Sequence, residues 1–352
     1  MQAILLAGGQ GSRLRPLTLN TPKPIVPIFD RPFLRYQIEL LKQVPEIDEI
    51  VLSLNYQPKR IEEVFGDGSS LGVQIRYVVE PQPLGTGGAI KFAAGPRPQG
   101  PVVVFNGDVL TSVDLQAVLA LHRERSAQAT IVLTPVKNPA AYGLVETDAD
   151  GNVRAFLEKP SADQITCDTI NAGIYVIEGE TLDRIPADTP YSIERGYFPS
   201  LIERGETFVA HTDRGYWIDI GTREKYQQVH TDIMTGTFVA PPFDQAPGTA
   251  VISPEARIDA GAVIEGPCFI DAGAVVKDGA RIGPLSVIGA NCHISEGASI
   301  LGSILWPHTW VDRNATLGPL VAGRHCQFGR HVNVGGSALL GDNSVITDFS
   351  RL

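Results

Sequence analysis

Nine aliphatic residues recur at every sixth position without a miss: Ile252, Ile258, Ile264, Ile270, Val276, Ile282, Ile288, Ile294 and Ile300. Four residues after each of the first eight stands a small side chain: Ala256, Ala262, Cys268, Ala274, Ala280, Ser286, Cys292 and Ala298. Neither helical nor simple strand periodicity produces this spacing. A six-residue repeat marks a parallel β-helix, in which each unit builds one face of a coil. The branched aliphatic fills the interior and the small residue fits the corner. Between Ile300 and Ile304 the frame slips by four residues, then returns through Phe328, Val334, Leu340 and Ile346. The slip predicts an irregular loop near "LWPHTW".

The first two thirds of the chain read differently. "AILLA" (3–7), "EIVLSL" (49–54), "VQIRYVV" (73–79) and "PVVVFNGD" (101–108) are near-continuous apolar runs, the pattern of strands covered on both faces. Between them lie amphipathic stretches. Leu34, Ile38 and Leu41 share one helical face in 31–43, and Asp114 is placed to cap a helix over 114–125. Alternating strand and helix imply an α/β domain with a mostly parallel, Rossmann-like sheet, extended by strands at 152–158 and 172–178. The Pro- and Gly-rich stretch 235–250 reads as a linker, so the expected division is a domain over 1–234, a linker over 235–250 and the β-helix over 251–352.

A glycine-rich turn, "ILLAGGQGSRLRP" (4–16), follows the first apolar run. A dinucleotide fingerprint needs a third glycine where Leu14 stands, and a Walker loop needs Gly-Lys-Ser/Thr, so neither fits. A tight strand-to-helix turn with no ligand is one remaining reading. The other is a phosphate cradle of backbone amides, with Arg13 and Lys23 supplying positive charge. Charge distribution agrees with the latter. The first sixty residues hold eight Lys/Arg and five Asp/Glu, while the whole chain carries a net charge of −10.

"LAGGQGSRLRPLT…PKPIVP" resembles the signature of the sugar-nucleotide pyrophosphorylases, nucleotidyltransferases that make NDP-sugars. "EPQPLGTGGAI" (80–90), "FNGDV" (105–109), "YGLVE" (142–146), "EKP" (158–160), "NAGIY" (171–175) and "YWIDIGT" (216–222) follow in that family's order, covering residues 1 to about 230. The repeat segment is similar to family members that carry a left-handed β-helix. Among subfamilies, "LGTGGAI", "NGDV" and "SIERGYFP" look most like mannose-1-phosphate guanylyltransferases. The resemblance implies attack by a sugar-1-phosphate oxygen on the α-phosphorus of an NTP, releasing pyrophosphate. GTP and mannose-1-phosphate are the expected pair; glucose-1-phosphate thymidylyl or uridylyl transfer and heptose-1-phosphate guanylyl transfer are the alternatives.

By the same resemblance, Leu6, Ala7, Gly8, Gly9, Gly11, Ser12, Arg13, Lys23, Gln82, Gly85, Thr86, Asn106 and Asp108 bind the nucleotide, with Arg13, Lys23 and Asp108 catalytic. Gly143, Glu158, Lys159, Asn171 and Asp219 bind the sugar phosphate, and Asp108 and Asp219 hold Mg²⁺. One departure stands out: the subfamily commonly has an acidic residue where "SIERGYFP" has Gly196.

Two other classes of function compete. Hexapeptide β-helices also build acyltransferases, for which His293, His308, His325 and His331 offer a base. A non-catalytic regulatory subunit that binds sugar nucleotides is the second, yet Arg13, Lys23, Asp108 and Asp219 are all present. The acidic balance argues against nucleic-acid or membrane partners. Four cysteines without a CxxC pair, and no long apolar run, lead to the expectation of a cytoplasmic protein. The β-helix is the expected site of homo-oligomer contacts.

Overall fold

The computed structural model describes residues 1–352 apart from Arg97, Gln99 and Lys159, and apart from the side chain of Ala162. Its contacts divide the chain into two compact units: Met1–Gln10 with Leu34–Asp219, and Gly11–Phe33 with Ile220–Leu352.

The first unit is built on a nine-stranded sheet. Its parallel core runs through β1 (Gln2–Leu6), β2 (Glu49–Leu54), β3 (Ile75–Val79) and β4 (Pro101–Asn106), in the order β4-β1-β2-β3. These are the four apolar runs; the Val, Ile and Leu side chains of β2 and β4 are buried, as is most of β1, whereas β3, at the sheet edge, leaves Val79 46% exposed. A short strand, β5 (Val109–Thr111), follows the turn after β4. Beyond β4 the sheet becomes antiparallel through a long strand, Thr169–Glu178, which also pairs with Ala129–Pro135. The helix Leu115–Glu124 starts as its sequence suggests, with the Asp114 carboxylate accepting from the amides of Gln116 (2.9 Å) and Ala117 (3.1 Å).

In the second unit the repeats wind into three parallel sheets of six, six and five strands, a left-handed β-helix as the resemblance implies. The six-spaced residues from Ile270 to Ile300 point inward and are at most 1% exposed. No irregular loop marks the frame slip. Partners are 18 residues apart before it (Ile270 with Ile288) and 17 apart after it (Ile288 with Leu305). Leu305, Val311 and Leu317 continue the interior, a second residue is missing before Ala322 (17 from Leu305), and the slip is two corners each shortened by one residue. Gly302 turns the first of these corners with φ 65°, and the buried Ser303 hydroxyl donates to Gly318 O at 2.5 Å.

His230 lies buried in the second unit, its Nδ1 bonded to Tyr226 O at 2.8 Å and its ring edge-on to Phe29 and Tyr226. Burial pulls its pKa from 6.5 down to about 4. The unfolded chain therefore takes up a proton that the folded chain refuses as pH falls from about 6.5 toward about 4, and stability declines across that window. Urea midpoints measured between pH 7 and pH 4 are expected to fall less steeply for His230→Leu than for wild type. Equal slopes would refute this assignment.

Candidate active site

The glycine turn begins where β1 ends. Leu6 is paired to Asn106 and Ser53 on its two sides, and the Ala7 amide donates to Ser53 O at 2.9 Å. A Cβ on Gly8 would press against Asn55 at 3.3 Å, whereas one on Gly9 would meet nothing within 4 Å. Gly9 therefore presents backbone to open space, which is what a main-chain anion cradle needs. Glu80, 8% exposed, ties this region together: it accepts from Ser53 Oγ (3.1 Å) and from the Leu84 amide (2.9 Å).

Asp108 follows a turn locked to β1. The Gly107 amide donates to Leu6 O at 2.9 Å, and a Cβ there would lie 2.5 Å from that oxygen. The strand β6 (Trp217–Asp219) pairs antiparallel with β5, placing Asp219 opposite Val109. The two-stranded ladder thus ends with Asp219 opposite the residue that follows Asp108 in the chain. Tyr142 Oη donates to Asp219 Oδ1 at 3.0 Å, and its ring packs edge-on to Trp217, whose Nε1 donates to Ala172 O at 2.9 Å. Among the described residues no group of three or more His, Cys, Asp or Glu side chains is arranged for a metal. One or two carboxylates suffice for Mg²⁺, which keeps several waters and takes phosphate oxygens alongside them, and Asp108 and Asp219 are of the right chemistry.

Glu158 pairs with Gly143 across a hairpin, and a Cβ on Gly143 would come within 3.1 Å of Glu158 Oε2. The glycine lets the carboxylate lie over the strand. Asn171 sits at a bulge, its Oδ1 accepting from the Gly173 amide and its Nδ2 donating to Tyr175 Oη, both at 2.8 Å. Among the described residues, the second N–H and the second lone pair of this amide have no partner. Tyr175 is fully buried, and that burial holds its hydroxyl well above the usual phenol range, so it stays neutral. Lys159 lies outside the described residues.

The "LGTGG" segment opens a helix, Gly85–Ala94. Its amides are not all exposed: those of Gly87 and Gly88 donate to Tyr191 O at 2.8 and 3.1 Å. Those of Gly85 and Thr86 have no partner among the described residues. Thr86 Oγ1 donates to Glu194 Oε2 at 2.6 Å and accepts from the Ile193 amide at 3.0 Å. The strap 189–194 thus lies on the glycines, and Cβ atoms on Gly85, Gly87 and Gly88 would all collide with it. The same strap accounts for the Gly196 departure, since a Cβ at 196 would stand 2.4 Å from Tyr191 Cζ and 2.5 Å from its hydroxyl. Tyr191 fills the space a side chain at 196 would need. Gln82 is exposed beside this segment.

Gly11, Ser12, Arg13 and Lys23 belong to the second unit. Gly11 is left-handed (φ 61°), its carbonyl accepting from Thr18 Oγ1 at 2.8 Å. Arg13 lies on Gly221: a Cβ there would be 2.7 Å from Nη2 and 2.9 Å from Cζ. Gly221 is two residues after Asp219 in the chain. The four β-helix histidines, by contrast, serve as ladder residues. His293 stacks on Trp310 (3.8 Å between ring centroids), His308 on His325 (4.8 Å) and His331 on Phe349 (5.2 Å). His308, His325 and His331 also hold left-handed corners (φ 64°, 57° and 56°), which histidine tolerates.

Within the first unit, a glycine turn at the end of β1 and the aspartates at 108 and 219, carried on neighbouring segments of backbone, suit a phosphorylated ligand and its metal. With the α/β sheet and the β-helix they define a nucleotide-handling transferase. The Nucleotidyl transferase family model matches residues 2–236, and the GMPPB C-terminal domain model matches residues 264–351. The chain belongs to the nucleotidyl transferase family. It is 42% identical to a mannose-1-phosphate guanylyltransferase of Mycobacterium tuberculosis over 68% of this chain and 67% of that protein. It is 33% identical to a UTP--glucose-1-phosphate uridylyltransferase of Synechocystis, over 96% of this chain and 92% of the relative. It is also 33% identical to probable mannose-1-phosphate guanylyltransferase 2 of Arabidopsis thaliana, over 99% and 93%. Among solved structures, HddC from Yersinia pseudotuberculosis superposes with a TM-score of 0.57 at 28% identity, covering 66% of this chain and 99% of HddC. No helix among the described residues is long and apolar enough to cross a membrane.

Proposed function

We propose that the chain joins GTP and mannose-1-phosphate to give GDP-mannose and pyrophosphate. The observation that carries this reading is the ladder that sets Asp219 opposite Val109, the residue after Asp108. The 42% identity to a guanylyltransferase supports the choice of substrates, and HddC has been solved in complex with GMP-PN. A sugar phosphate oxygen is already a competent nucleophile near neutral pH. It attacks the α-phosphorus, a P–O bond forms, and the bond to pyrophosphate breaks. Alignment and charge neutralisation then carry the rate.

In this reading Leu6, Ala7, Gly8, Gly9, Gly11 and Ser12 cradle the triphosphate, Arg13 grips it with a planar fork, and Lys23 adds a point charge. Gln82 and the amides of Gly85 and Thr86 read the base, and Asn106 lies beside Asp108. Gly143, Glu158 and Asn171 hold the sugar hydroxyls, and Lys159 takes the sugar phosphate. Mg²⁺, bound by Asp108 and Asp219, supplies charge neutralisation at the phosphates. Residues 1–234 form the catalytic domain, 235–250 the linker and 251–352 a β-helix domain through which copies of the chain associate in the cytoplasm.

The test is pyrophosphate release by the purified chain with Mg²⁺ across GTP, UTP, dTTP, ATP and CTP. Each is paired with mannose-, glucose- and heptose-1-phosphate. Turnover centred on GTP and mannose-1-phosphate is expected. A preference for UTP and glucose-1-phosphate would keep the chemistry and replace the substrates, in line with the Synechocystis relative.

A further inference from the structure

The segment that carries Lys23 is tied to the β-helix within the second unit. After the short turn Lys23–Ile25 the chain makes a hairpin, Pro27–Ile28 against Arg31–Pro32. At its tip Phe29 has φ 57°. That conformation is costly for a bulky side chain and persists where the surroundings over-determine it. Here they do. The Phe29 ring packs on His230 (4.8 Å), Phe243 (5.3 Å) and Phe269 (5.4 Å), and Phe269 belongs to a β-helix strand. Two residues before it, Pro27 O accepts from Tyr226 Oη at 2.5 Å, and the same hydroxyl accepts from Trp306 Nε1 at 2.9 Å.

Trp306 sits in the β-helix, 1% exposed, with the Arg324 guanidinium 5.5 Å from its ring centroid. Tyr226 is fully buried, and burial raises its hydroxyl above the usual phenol range, so it remains a donor at any working pH. Beneath Lys23, a void lined by Leu14, Val26, Ile28, Ile220 and Tyr226 has no room for a water. The path from the β-helix to the lysine segment is therefore dry, packed and joined by directional bonds.

We infer that Trp306 and Tyr226 are positioning residues that hold the Lys23 segment in its working place, which makes the β-helix part of the catalytic apparatus. The inference rests on the reading of Lys23 as a phosphate-binding cation. A misplacement of about 1 Å can cost on the order of 100-fold in rate.

Tyr226→Phe removes both hydrogen bonds and keeps the ring; Trp306→Phe removes the indole donor. Each is expected to lower kcat at least about tenfold with KM changed far less. The double variant should be no worse than Tyr226→Phe, because the relay passes through that one hydroxyl. Ile294→Val, a core change elsewhere in the β-helix, serves as the control: it should lower Tm and leave kcat unchanged. Full kcat in Tyr226→Phe, or strict additivity in the double variant, would overturn the inference. Hydrogen exchange over residues 22–33 reads the same device without turnover. Roughly tenfold faster exchange in both variants is expected, and unchanged protection would overturn the inference. If wild type itself makes no NDP-sugar, the proposed function fails while the exchange result still decides the positioning role.

Discussion

Asp108→Asn is expected to lower kcat/KM by roughly 10²–10³-fold, the scale on which removing one electrostatic stabiliser acts in a preorganised site. The substitution keeps side-chain shape and removes the charge. The turn before it does not depend on that charge, since Gly107 is bonded to Leu6 O and its bare Cα is what allows the close approach. Folding should therefore survive, with Tm close to wild type. Asp219→Asn should give a smaller loss, because Asp219 also accepts from Tyr142 and an asparagine oxygen preserves that bond. Steady-state kinetics at several Mg²⁺ concentrations check both variants. Asp108→Asn within threefold of wild type would remove it from the mechanism.

Gly221→Ala is expected to cost on the order of 10–100-fold in kcat/KM with little loss of stability. The added methyl would overlap the Arg13 guanidinium, the far end of a flexible side chain, at 2.7 to 3.1 Å. The backbone need not move; the arginine must. If Arg13 neutralises phosphate charge, displacing it should act like removing it, and Gly221→Ala combined with Arg13→Ala should be no worse than Arg13→Ala alone. Arg13→Lys should fail to restore full rate, because a point charge does not reproduce the planar fork. An active Gly221→Ala would show that the seat of Arg13 on this glycine is incidental.

Both effects depend on features that differ in how far the sequence discloses them. A six-residue period identifies the inward residues from Ile270 to Ile300, Ile294 for example, without reference to anything distant. Asp114 as a cap was equally local. The shortened corner after Ile300 was not, because hydrophobic spacing reports which residue points inward and not how the turn between two of them is made. The strap over "LGTGG" was illegible for another reason: Tyr191 lies about a hundred residues away, and nothing in the glycines announces whose carbonyl their amides will meet. The resemblance marked Asp219, while its partner Tyr142 stood inside the quoted "YGLVE" with no role assigned; the two are separated by 77 positions. Glu80 was similar, quoted at the head of "EPQPLGTGG" and recognisable as a tie only once Ser53 and Leu84 are seen on its two oxygens.

The central claim is tested most directly by product stoichiometry. The purified full chain is incubated with GTP, mannose-1-phosphate and Mg²⁺, and GDP-mannose and pyrophosphate are quantified together, with and without EDTA. Equimolar GDP-mannose and pyrophosphate, abolished by the chelator, is the expected result. Folded protein that forms neither product under these conditions, or releases phosphate without joining nucleotide to sugar, would contradict the account.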